Sequence, residues 1–204
     1  MRLVPFLLVV ALSASPQINA GDLAQCRDLQ ARWLAAAAAG RSAEAIDLAR
    51  TLEAQIDDET LRTVPTTAAF RMAPYFALTR FGRWQEMLDE PDPPEFNLVL
   101  LAAWHYARGR ADAALDQLAQ AEAELGVLRL LLQDQVMEQP LLSSNSAGSV
   151  LAPAPEILAA EIAARKKAAA AAVAHLERAV RLYDALGPPE FPEPPRPLLD
   201  AILK

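Results

Sequence analysis

Cysteine, histidine, glycine and aromatic residues are all scarce in this 204-residue chain, and each scarcity excludes something. The single cysteine, Cys26, allows no intramolecular disulfide. Two histidines, His105 and His175, stand 70 positions apart and form neither an HxxxH nor an HExxH pair, so no metal site and no catalytic constellation is legible. Seven glycines include no phosphate-cradling run, and neither GxSxG nor CxxC occurs. Aromatics make up only 6% of the residues and β-branched residues are few, which excludes an all-β fold. Basic residues (19) are fewer than acidic ones (26), giving net charge −7 and no basic stripe of the kind nucleic acid requires. The chain therefore reads as non-enzymatic, with no cofactor, no metal and no nucleic-acid partner.

What is abundant is alanine, at 43 residues, within a hydrophobic content of 53%. Alanine loses no side-chain entropy in a helix and lets helices approach closely, so an all-α fold is expected. Residues 1–20 form a separate unit. Arg2 gives a positive start, Leu3 to Leu12 an apolar run, and Ala20 a small residue before Gly21, the pattern of a cleaved signal peptide. The run is too short for a stable membrane span. This predicts export to the periplasm or beyond. Leu23-Ala24-Gln25-Cys26 also has the outline of a lipoprotein cleavage box, against a reading in which Asp22 and Gln25 start a helix that buries Cys26.

From residue 21 to 186 apolar residues recur at helical spacing in pairs of segments. The first pair turns at Gly40-Arg41-Ser42 and marks Ala45 to Ile56 as its return. A second runs from about Thr66 to Phe81, with Pro74 expected to kink it, turns at Gly82-Arg83, and returns from Trp84 to Leu88. A third is expected to run from Leu98 to Arg108, turn at Gly109, and return from Ala111 to about Glu138. Residues 139–155 read as an exposed loop. Residues 156–186 lack Gly and Pro and fit either one long helix or, preferably, a hairpin turning at Arg165-Lys166-Lys167. Residues 187–204 are proline-rich and read as an extended tail or wrapper that excludes regular helix. Asp57-Asp58-Glu59 reads as a solvated turn.

Gly40-Arg41-Ser42-Ala43-Glu44-Ala45, Gly82-Arg83-Trp84-Gln85-Glu86-Met87 and Gly109-Arg110-Ala111-Asp112-Ala113-Ala114 resemble the interhelix turn of tetratricopeptide repeats, with Lys167 and Ala172 in the equivalent places of a fourth unit. Arg80-Phe81-Gly82-Arg83-Trp84, Trp104-His105-Tyr106-Ala107-Arg108-Gly109, Ala174-His175-Leu176-Glu177-Arg178-Ala179-Val180 and Glu193-Pro194-Pro195 are similar to segments of exported bacterial tetratricopeptide-repeat (TPR) proteins. The likeness covers most of residues 29 to 197, and the irregular repeat spacing marks a shortened, degenerate member. It implies a TPR-like α-solenoid of helical hairpins with a proline-rich C-terminal tail. It also implies a scaffold that binds a protein or peptide on the concave face lined by the first helix of each pair.

On those first helices the expected partner-binding residues are Arg71, Tyr75 and Arg80 in the second pair, and Trp104, His105 and Arg108 in the third. Arg71 and Tyr75, like Trp104 and Arg108, are four apart and share a helix face, where a guanidinium and a ring together can grip a carboxylate and an apolar side chain. Packing of Trp33, Trp84 and Trp104 between helices is the competing use of those rings. The alternative function is an accessory or carrier subunit of an envelope enzyme or transporter, whose small-molecule or metal ligand site forms with its partner.

Overall fold

The computed structural model describes residues 20–141, 145–186 and 193–203, and among these the fold is all-helical, with helices packed in pairs and no strand beyond one isolated bridge between Pro140 and Ser146. The expected signal peptide lies, but for Ala20, outside the described residues. Helix α1 (Ala20–Ala38) pairs with α2 (Ser42–Glu53). Short α3 (Asp58–Thr63) and α4 (Ala68–Arg71) lead into α5 (Ala73–Arg80) and α6 (Trp84–Leu88). Then α7 (Leu98–Ala114) pairs with α8 (Leu118–Leu131), and, after α9 (Ala147–Leu151), α10 (Pro153–Arg165) pairs with α11 (Ala169–Asp184); α12 (Arg196–Ile202) closes the described chain.

The turns between paired helices are built alike. Each places one residue in the left-handed region: Gly40 (φ 72°), Gly82 (φ 65°), Asp116 (φ 61°) and Lys167 (φ 61°). Around each, the same two hydrogen bonds close the first helix. The left-handed residue donates its N–H to the carbonyl three back (Gly40 to Ala37, Gly82 to Thr79, Asp116 to Ala113, Lys167 to Ala164), and the next N–H reaches five back (Arg41 to Ala36, Arg83 to Leu78, Gln117 to Asp112, Ala168 to Ala163). That is a Schellman closure, which satisfies carbonyls a helix end would otherwise leave unpaired. Five residues past each left-handed position stands a fully buried side chain: Ala45, Met87, Ala121 and Ala172. The left-handed residues follow one another by 42, 34 and 51 positions (82 − 40, 116 − 82, 167 − 116).

The third turn is not where the sequence points. Helix α7 runs through Gly109 without interruption and turns at Asp116, so Ala121, not Ala114, holds the buried position in that unit. Gly109 keeps a helical φ, and its missing side chain serves packing. A β-carbon there would stand 2.6 Å from Leu158 Cδ2 and 3.0 Å from Glu124 Cβ. Residues 156–186 form the hairpin, turning at Lys166-Lys167. Within the segment read as a loop, Ala147–Leu151 is helical and α10 already begins at Pro153. The proline-rich tail likewise contains a helix, α12. In both places proline occupies the first helical turn, where its missing N–H has no intrahelical partner to lose. Pro74 acts as expected: α4 ends at Arg71 and α5 restarts at Ala73. Asp57 is the cap of α3, accepting the Thr60 N–H at 2.7 Å, and is no mere solvated turn. Since α1 already begins at Ala20, Asp22 sits inside its first turn, and Cys26 is buried.

The core is one cluster along the array of pairs. The second helix of each pair also packs on the first helix of the next: α2 on α5, α6 on α7, and α8 on α10; first helices touch in turn, α1 with α5, α5 with α7, α7 with α10. Fully buried alanines, among them Ala36, Ala45, Ala77, Ala107, Ala111 and Ala154, permit these close approaches. Residues Ala147–Arg165 together have the length and apolarity of a membrane-crossing helix, and most of that stretch is buried against its neighbours.

Candidate functional site

A cleft of about 630 Å³ opens along the ends of α5, α7 and α10, lined by Arg80, Phe81, Trp84, Arg110, Glu161 and Arg165 among others. A second hollow of about 430 Å³ adjoins it and shares Thr79, Arg80, Phe81, Arg110 and Leu198; its remaining wall includes Glu193, Pro194 and Pro197. The two form one groove with the C-terminal segment lying across it.

A buried charge network forms the floor. Arg110 is an arginine on an otherwise apolar helix face, one turn after Tyr106, and is 6% exposed. The close approach of α10 permitted by Gly109 brings Glu161 to it: Arg110 Nη2 donates to Glu161 Oε1 at 2.6 Å and Nε to Oε2 at 2.9 Å. Arg110 Nη1 then donates to both carboxylate oxygens of Glu193, each at 2.6 Å. Tyr106, fully buried, donates its phenol proton to Glu193 Oε2 at 2.7 Å, and Thr79 Oγ1 lies 3.0 Å from Glu193 Oε1. Desolvation alone would lower the Arg110 pKa, but the two carboxylates outweigh it and hold the guanidinium charged well above its ordinary value. Burial, reinforced by Glu193 and Glu161 against the pull of Arg110, pushes the Tyr106 phenol up, so it remains a donor.

The structure distributes the six expected partner-binding residues unevenly. Arg80 alone among them faces the groove, its side chain exposed and its Nε donating to the Ala37 carbonyl at 3.1 Å. Arg71 is turned to Asp58, 2.5 Å away, and Tyr75 is buried. Trp104 packs in the core with the Arg108 guanidinium 4.5 Å over its ring. Arg108 also donates to the Leu88 carbonyl at 2.9 Å, and His105 pairs through Nδ1 with Glu124. Thus the expected aromatic–arginine pair on one helix face forms between Trp104 and Arg108, where it is spent on joining helices, while Arg71 ends α4 and Tyr75 lies in α5. His175 repeats that arrangement, pairing with Glu156 at 2.6 Å beside Arg178.

Thr79, Tyr106, Arg110, Glu161 and Glu193 were not legible as a site, because four elements bring them together. The available signal was Arg110 itself, a charge between Gly109 and Ala111 on α7, and Glu193, one of two acids within a run of prolines. Among the described residues no group of three or more His, Cys, Asp or Glu is placed to hold a metal ion. No family model matches this chain, and neither a curated protein nor a solved structure matches it.

Proposed function

We propose that this chain is a non-enzymatic, TPR-type interaction scaffold of the bacterial cell envelope, exported through its N-terminal signal, that holds a segment of a protein partner in the groove between α5, α7 and α10. The observation that carries this reading is that the groove already holds a segment of the chain itself, Glu193-Pro194-Pro195, on a preformed polar floor. The pairing of helices, with four turns of one geometry and each second helix serving two neighbours, supports the solenoid part of the proposal. One interval between turns, 34 positions from Gly82 to Asp116, equals the usual tetratricopeptide period.

A photo-crosslinking amino acid at position 80, compared in living cells with one at Leu130, tests this; Leu130 is strongly exposed on α8 and outside the groove lining. The expected result is a discrete protein adduct from position 80 in the envelope fraction and none from position 130. Adducts from both positions alike, or from neither, would remove the groove as the binding face.

A further inference from the structure

The floor of the groove has the properties of a receptor for a carboxylate. Three donors from two first helices, Thr79, Tyr106 and Arg110, converge on a single side chain, and they are 2%, 0% and 6% exposed. Their positions are fixed by the packing of α5 and α7, not by the tail. The single Thr79 hydroxyl proton has the Tyr75 carbonyl of its own helix, 2.9 Å away, as its alternative acceptor, and Arg110 is locked by Glu161.

The charges decide whether the occupant is exchangeable. Arg110 carries one positive charge against two carboxylates. When Glu193 leaves, Arg110 keeps its pairing with the partly exposed Glu161, so departure strands no unpaired ion in the core. The rest of the described tail is lightly held. None of the residues of α12 is buried, and its ion pair, Arg196 to Asp184, is exposed. Glu193 and, two residues on, Pro195 are the buried residues of the described segment, with Leu198 partly buried against the core. Glu193, followed by two prolines that lead into α12, anchors the segment in the groove.

We propose that Thr79, Tyr106 and Arg110 form a carboxylate receptor which the chain's own Glu193 fills, and that a partner bearing a glutamate followed by prolines displaces the tail to occupy it. This rests on the scaffold reading above and gives that scaffold both a ligand chemistry and an intramolecular competitor. Because the tail competes at the high effective concentration of a tethered segment, a free peptide binds the intact chain weakly and binds tightly once the tail is released.

Fluorescence anisotropy with a labelled synthetic peptide, Phe-Pro-Glu-Pro-Pro-Arg-Pro-Leu-Leu-Asp, measures this on full-length wild type, Glu193→Ala and Glu193→Gln. The peptide is expected to bind Glu193→Ala at least about tenfold more tightly than wild type, and the same peptide with glutamine for its glutamate to lose at least about tenfold toward that variant, in line with loss of charge-assisted hydrogen bonds. Glu193→Gln, which keeps the volume, serves if circular dichroism shows that the alanine variant does not fold, and is expected to shift in the same direction. Equal peptide affinity for all three chains, or indifference to the peptide's glutamate, would overturn the proposal. So would a wild-type dimer that dissociates on Glu193→Ala in sedimentation, since the segment would then serve a second copy. A position-80 adduct in cells together with failed peptide arms would sink the receptor and leave the scaffold standing.

Discussion

Gly109 of α7 and Leu158 of α10 meet so closely that a β-carbon on the glycine would lie 2.6 Å from Leu158 Cδ2. Leu158 is fully buried, so its methyl group has no free space to move into. Gly126, in α8, has the opposite setting: nothing lies within 4 Å of its added β-carbon. The same substitution should therefore act with opposite sign at the two sites. Gly109→Ala gains helix propensity of about 1 kcal/mol but overpacks the junction, for a net loss of about 1–2 kcal/mol. Gly126→Ala keeps the propensity and gains about 1 kcal/mol. Urea unfolding midpoints check both, and a stabilising Gly109→Ala would contradict the close packing of α7 on α10.

The third and fourth turns place side-chain-bearing residues, Asp116 and Lys167, at φ 61°, where glycine has no steric cost. Asp116→Gly and Lys167→Gly should each stabilise by about 1 kcal/mol, although each also removes a side chain with surface electrostatics of its own. Asp116 pairs with Arg165 at 3.1 Å, an exposed contact of small worth, so the backbone effect wins. Thermal unfolding of the two variants should show higher midpoints; lower ones would mean that these residues do not adopt the left-handed turn.

Register in the third unit gives another contrast. Ala121 is fully buried five residues after Asp116, whereas Ala114 is only half-buried at the end of α7. Ala121→Leu should cost about 1–3 kcal/mol through overpacking, and Ala114→Leu clearly less. Equal losses in chemical denaturation would restore Gly109 as the turn.

What could be read in advance follows from how local each signal is. Gly40 and Gly82 were legible as turns because glycine carries the left-handed conformation in its identity. Asp116 was not, because aspartate there looks like any surface acid, and Gly109 seven residues earlier offered a false marker. The hairpin in residues 156–186 was legible from Arg165-Lys166-Lys167, where cations gather at a helix end. The helices at Pro153 and Arg196 hide behind prolines that stand in the first turn, where proline does not break a helix, and the one at Ala147 is a single short turn capped by Ser146, too brief to show a period. The spacing of Trp104 and Arg108 on α7 located adjacent side chains, whereas the break before Pro74 puts Arg71 and Tyr75 on different helices, and periodicity cannot tell a groove from a helix–helix junction. Only Arg80 of those six reached the groove. The Arg110–Glu193 contact spans 83 residues and leaves no spacing to detect.

That network also sets the behaviour of the protein in alkali. Burial raises the phenol pKa of Tyr75 and of Tyr106 above the ordinary value, with carboxylates nearby adding to it, while the more exposed Tyr183 is raised too, by burial and by Asp184. An unfolded chain releases these protons near pH 10. Between that pH and the raised values the folded state therefore binds more protons than the unfolded one, so stability falls as pH rises. Each phenol whose proton is retained contributes a slope of up to about 1.4 kcal/mol per pH unit in that window. Below about pH 9 the contribution is fully present and constant. Phenolate absorbance followed together with circular dichroism should show most tyrosine ionisation arriving with the loss of helix, and the melting temperature should drop steeply above about pH 10. If all three tyrosines instead ionise near pH 10 with the helical signal intact, Tyr106 is open to water, and the closed floor that holds Glu193 does not exist in solution.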